Sequence, residues 1–115
     1  MKFYILTLSF IFIFFLNSFS QVQLFGEQIR GANKNAELKS EAVLITHDVK
    51  IVKIEGDNAG FWIESQAGVL QSFYIDDSGK YYPEAIGYVL KSGKYTVYPN
   101  LSEGKDKSAV RIYLE

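Results

Sequence analysis

The chain has one histidine, His47, and no cysteine. Those two facts remove whole classes of chemistry. A multi-histidine metal centre, a zinc–thiolate site, a cysteine nucleophile and a disulfide framework all need residues that are missing. A Ser-His-Asp set stays formally open with His47 as base. No Gly-x-Ser-x-Gly turn is present to display a serine nucleophile. Asp48, the neighbour of His47 on an extended strand, would point to the opposite face and could not orient it. His47 therefore reads as a partly exposed strand histidine.

Thirteen Asp and Glu residues supply many carboxylate pairs. Glycoside hydrolysis needs two carboxyl groups about 5 to 9 Å apart across a cleft, and a small sheet domain has little depth for one. Asp57-Asn58 and Asp76-Asp77-Ser78 are the oxygen-rich stretches to weigh for calcium. Neither has EF-hand spacing. Asp, Asn, Ser and Gly also favour turns through their own backbone hydrogen bonds. The expectation is no catalytic residue, no metal and no cofactor.

Rings are what the chain has in quantity. After residue 20 come seven tyrosines, three phenylalanines and Trp62. Exposed aromatic strips stack on sugars or anchor protein interfaces. A small domain without disulfides also needs rings for its core. The question for each ring is which face of its strand it occupies.

The elements that position these rings are short strands. Aromatic and β-branched residues dominate from Ala42 onward, punctuated by glycine. The strand candidates are 22–29, 42–55, 61–64, 69–76, 80–82, 86–91, 94–98 and a final strand around Val110, Ile112 and Leu114. Gly26 interrupts the first and suggests a bulge. In the long second candidate the apolar parity shifts between Ile51 and Val52. A bulge, a bend between sheets and burial on both faces would each explain that shift. Residues 33–40 are polar without alternation and read as a loop, with room for one helical turn. Pro83 closes the short strand at 80–82. Seven or eight short strands with frequent turn signals predict an all-β fold, a small antiparallel β-sandwich or barrel.

Residues 61–76 read as a hairpin around Gln66-Ala67-Gly68 whose register is open. A three-residue loop sets Trp62 against Ser72 and turns it outward. A four-residue loop sets it against Gln71 and turns it to the core. A one-residue slip inverts every side chain. The stabilisation gained by burying a large ring favours a buried or half-buried Trp62. In the stretch SGKYTVYPNL, a two-residue Ser92-Gly93 turn predicts a second hairpin. It would place Leu90, Tyr95, Tyr88 and Val97 on the core face, with Tyr98 outward across Gly87. Tyr98, Tyr82, Tyr81 and Trp62 are accordingly the candidate ligand-binding residues, the alternative for Tyr98 being simple cover for the Gly87 backbone.

The segment YVLKSGKYTVYPN resembles the closing hairpin of secreted bacterial jelly-roll sandwiches of the pre-peptidase C-terminal type, through Leu90, Gly93, Tyr95 and Val97. The similarity spans about the last half of the chain after residue 20. The Asp-rich segment usual in that family is reduced here to Asp76-Asp77. The resemblance implies a jelly-roll-like sandwich in a non-catalytic accessory role that contacts carbohydrate or protein.

The N-terminus points to export. Lys2 precedes a run, residues 3–16, that is apolar apart from Thr7 and Ser9. Ser18 and Ser20 then occupy the −3 and −1 positions of a signal-peptide cleavage site before Gln21. The apolar run falls short of the roughly 20 residues of a membrane anchor. With no cysteine, lipid attachment at one is ruled out. Cleavage leaves a single domain, residues 21–115, with eleven basic and thirteen acidic residues. It has no basic patch for nucleic acid and no anchor to hold it at a membrane.

The expected setting is the bacterial cell envelope, secreted or periplasmic. Three functions fit: a non-enzymatic module binding an envelope protein or glycan; a structural subunit joined by strand addition at an exposed edge; and a small hydrolase using His47. The first strand, broken at Gly26, is the expected edge for the second. Oligomeric state is not legible in the sequence.

Overall fold

The computed structural model describes residues 21–31, 36–56 and 59–115. The leader read at 1–20 and the Asp57-Asn58 stretch lie outside the described residues. Ten strands are present among those described: β1 (Val22–Arg30), β2 (Ala36–Ser40), β3 (Val43–Ile45), β4 (Val49–Gly56), β5 (Phe61–Ser65), β6 (Gly68–Ile75), β7 (Tyr81–Tyr82), β8 (Val89–Leu90), β9 (Gly93–Pro99) and β10 (Lys107–Leu114). They form two five-stranded sheets, β2-β1-β10-β4-β8 and β3-β9-β5-β6-β7, with antiparallel pairing throughout. The fold is all-β, and its two sheets are compatible with a β-sandwich. The count exceeds the expected seven or eight because β2 is a strand and the run 42–55 is divided into β3 and β4.

Alternation drives the packing. In β10, Ser108, Val110, Ile112 and Leu114 are buried while the residues between them are less so. Leu24 comes inward from β1, Val49 and Ile51 from β4, Phe61 and Ile63 from β5, Phe73 from β6, and Tyr95 and Val97 from β9. Aromatic contacts give this core its bulk. Phe61 stacks on Phe73 at 4.7 Å, and Tyr81 and Tyr88 meet them edge-on at 5.5 and 5.2 Å. Such ring pairs add stability beyond the area they bury, which suits a small domain with no cross-link.

Several local expectations change. The run 42–55 is two strands in different sheets, β3 and β4. Within β4 the parity shift is a bulge: Tyr113 pairs with Lys53 and Leu114 with Ile51, leaving Val52 extra. Part of the expected loop 33–40 is β2, an edge strand. Gly26 marks no bulge, because its ladder is regular on both sides, against Val110 and Ser40. It is glycine because the backbone of Val97 presses against it from the other sheet. β1 is therefore an inner strand, between β2 and β10, and not the exposed edge expected of it.

The Ser92-Gly93 hairpin is absent. β8 pairs with β4 and β9 pairs with β3 and β5, so the chain changes sheet at this point. Leu90, Tyr95 and Val97 are core residues all the same, and Tyr88 packs against them. Ser40 ties the sheets together at the opposite crossing. Its hydroxyl donates to the carbonyl of Phe25 at 2.9 Å and accepts the amide of Val97 at 3.2 Å.

Candidate functional site

The hairpin β5–β6 has a two-residue turn at Gln66-Ala67, followed by Gly68 with φ of 114°. A bulge at Leu70 then restores the pairs Trp62–Ser72 and Phe61–Phe73. Phe61 and Ile63 are consequently core, and Trp62 turns to the outer face, where it is half-buried. What shields it is Tyr98. The two residues are direct cross-strand partners, with ring centroids 5.5 Å apart and a tilt of 36°. Tyr98 thus lies across Trp62 and not across Gly87. Gly87 has φ of 92°, donates its amide to the carbonyl of Ile51, and has open space where a Cβ would stand.

Alternation carries the same face further. Trp62 pairs with Ser72, so Tyr74, two residues along β6, shares its side. Tyr74 is the direct partner of Tyr82 on β7. Tyr74 is 58% exposed and Tyr82 72%. The outer face of the second sheet therefore holds Tyr98, Trp62, Tyr74 and Tyr82 across four adjacent strands. At about 4.8 Å per strand spacing, the strip is roughly 14 Å wide. Glu64 and Thr96, paired with each other across β5 and β9, adjoin it on that face, and Ser72 sits within it. Three of the four expected residues meet here.

Tyr81 does not join them. As neighbours on β7, Tyr81 and Tyr82 face opposite ways, and Tyr81 packs edge-on against Phe61. Burial raises the pKa of its phenol. Tyr74 was missed by the sequence reading although it adjoins core Phe73 and so faces out; what the open register left undecided was whether Trp62 shared its side.

At its Tyr98 end the strip opens into a cleft of about 690 Å³ at the corner where the sheets meet, lined there by Phe25, Leu38, Val43 and Ser40. The outer face of the first sheet is of another kind. Its rings are covered by cations, Arg111 over Phe25 at 4.7 Å and Lys53 over Tyr113 at 5.3 Å. Arg111 also donates to Gln23 at 2.9 Å. A hydrogen bond with Glu55 raises the pKa of Tyr113, and the same bond is the main cause of the lowered Glu55 carboxyl.

His47 lies in the bend between β3 and β4, outside any strand, and is exposed. Its Nδ1 is 3.3 Å from Thr46 Oγ1, while Asp48 is paired with Lys91 at 3.0 Å. The Asp76 stretch is a turn built on its own carboxylate. Asp76 Oδ1 accepts the Ser78 hydroxyl at 2.6 Å and the amides of Ser78 and Lys80 at 2.9 Å each. Among the described residues, no group of three or more His, Asp or Glu side chains is placed to hold a metal. Compared with known proteins, the chain matches no family model, no curated protein and no solved structure.

Proposed function

We propose that this is an exported, non-enzymatic binding module of the bacterial cell envelope, whose contact surface is the aromatic face of the second sheet. The observation that carries the reading is the strip Tyr98–Trp62–Tyr74–Tyr82. It is a row of rings held flat by strand pairing, with two members largely open to water. Rings spaced across a rigid sheet offer apolar platforms with little entropy left to lose on binding.

Of the two partner classes, a glycan fits this face better than a protein. Its flanking groups, Glu64, Ser72 and Thr96, are hydrogen-bonding neighbours of the kind a hydroxyl-rich ligand needs. The tyrosine hydroxyls add donors at the ring rims. His47 sits exposed in a bend and the neighbouring Asp48 is held by Lys91, which favours a binding role over hydrolysis.

We read the scaffold as a jelly roll. β1 pairs with β10, β3 with β9, β4 with β8 and β5 with β6. Those nested pairs are what one long hairpin gives when it is rolled into two sheets.

A glycan array probed with the protein, followed by titration of the best hit, tests the reading. Binding that is lost in Trp62→Ala and in Tyr98→Ala supports it. An empty array together with an empty pull-down from envelope extract would sink it.

A further inference from the structure

Gln21 is exposed and stands outside any strand, while Val22, the next residue, opens β1. Val22 pairs with Leu114, and the ladder runs on without a shift to Ile29 opposite Lys107. Leu114 is fully buried, and Val22 packs against the core. The fold therefore fixes the chain on one side of Gln21 and leaves the residue itself in water.

Ser18 and Ser20 place the expected cleavage immediately before this residue. That cut would free the α-amine of a glutamine. A glutamine at a chain end carries its own electrophile, because its side-chain carboxamide carbon lies within reach of its amine nitrogen. We infer that Gln21 is a modification site: once exported and cut, the chain ends in pyroglutamate. The α-amine nitrogen attacks the carboxamide carbon Cδ. A C–N bond forms to that carbon, and its bond to Nε2 breaks. The proton shed by the attacking nitrogen goes to the departing one, so that ammonia leaves. No oxidant, reductant or water is consumed. The inference rests on the export part of the proposed function and not on what the aromatic face binds.

The folded state does not oppose this closure. An α-amine has a pKa of about 7.7 to 8.0, so part of it is uncharged and nucleophilic near neutrality. Both reacting groups belong to one residue, which gives the closure the advantage of an intramolecular step. The ring contains only N, Cα, Cβ, Cγ and Cδ of Gln21. It closes by side-chain rotation, and Val22 and its pairing with Leu114 need not move. A glutamine with a packed side chain would lack that freedom. The product has a consequence for the fold. Exposed chain ends are where proteolysis concentrates, and an aminopeptidase takes hold of a chain by its α-ammonium. The lactam removes that group one residue before Val22, where trimming would begin to strip β1 from the core. No disulfide secures that end, since the chain has no cysteine.

Export of the full-length chain from a bacterial host, followed by mass spectrometry of the intact protein and of its N-terminal peptide, tests the inference. The expected product is residues 21–115, lighter by one ammonia, with the loss placed at Gln21. Pyroglutamyl peptidase should then remove one residue and restore a reactive α-amine. Gln21→Ser, which has no carboxamide to attack, should give the full mass for its sequence and a free amine. A chain that starts at Gln21 and keeps its amine free through prolonged incubation at neutral pH overturns the inference and leaves export intact. An ammonia loss that persists in Gln21→Ser also overturns it, because another residue must be the source. A chain that retains residues 1–20 overturns it together with the export reading, and a cut at another bond overturns it alone.

Discussion

Gly26 of β1 lies flush against the carbonyl oxygen of Val97 in β9, so the two sheets touch backbone to backbone at this point. A Cβ on Gly26 would collide with that oxygen. The obstacle is fixed main chain, which cannot swing aside as a side chain would. Gly26→Ala is expected to destabilise the fold by about 3 kcal/mol. Urea denaturation checks this as a lowered midpoint at unchanged slope. A change within about 0.5 kcal/mol, the ordinary range for surface substitutions, would show that the sheets separate freely here.

Trp62 and Tyr98 shield one another on the outer face, and neither fills the core. Replacing either with alanine should cost little stability but weaken ligand binding at least tenfold, equivalent to about 1.4 kcal/mol. Tyr81→Ala should do the reverse, because its ring supports Phe61 and faces away from the strip. Titration calorimetry beside thermal melts separates the two behaviours. Equal loss of binding in all three variants would mean that the face contributes only through folding.

How far this site was legible turns on what alternation can and cannot say. The inward set Val110, Ile112 and Leu114 was plain, since β10 is regular from end to end. The parity break at Val52 was visible too, and one of its three explanations is the bulge observed. Gly26 looked the same in sequence whether it served a bulge or a close approach, and only the second sheet distinguishes them. Ser92-Gly93 marks a reversal of the chain whether the flanking strands pair with each other or part to different sheets. β2 carried no signal because most of its side chains stay in water on either face. Tyr74 faces out because Phe73 beside it is core, but a one-residue slip of the hairpin decides whether Trp62 joins it.

The Asp76 turn carries a pH dependence. The Ser78 hydroxyl, and next the Lys80 amide, hold the carboxyl below its ordinary range. The folded chain therefore binds this proton less readily than the unfolded chain. The resulting stabilisation is complete above the unfolded carboxyl's pKa, about 3.9, and is lost as pH falls through the lowered folded value. Asp76→Ala should be less stable than the parent near neutrality, with the gap closing in acid. Denaturation series from pH 7 down to about 2 would record it, and a gap that stays constant would assign the turn no electrostatic part.

Ser108 points inward from β10 and is 1% exposed, and its hydroxyl has no hydrogen-bond partner among the described residues. Burying an unsatisfied hydroxyl is unfavourable, so Ser108→Ala should leave stability unchanged or raise it by about 1 kcal/mol. A clear loss in thermal or urea unfolding would mean that the hydroxyl is satisfied after all.

The nested pairing of strands has a kinetic meaning. Among the nested pairs β5–β6 joins close neighbours, while β4–β8, β3–β9 and β1–β10 span ever longer loops around it. Closing each outer loop costs chain entropy before its contacts repay it, so assembly should run outward from β5–β6 and proceed slowly. β10 follows every other strand in the chain yet sits between β1 and β4. Until it arrives those two strands have no common partner, and the first sheet cannot close. Ordering of the whole first sheet therefore waits on this one strand.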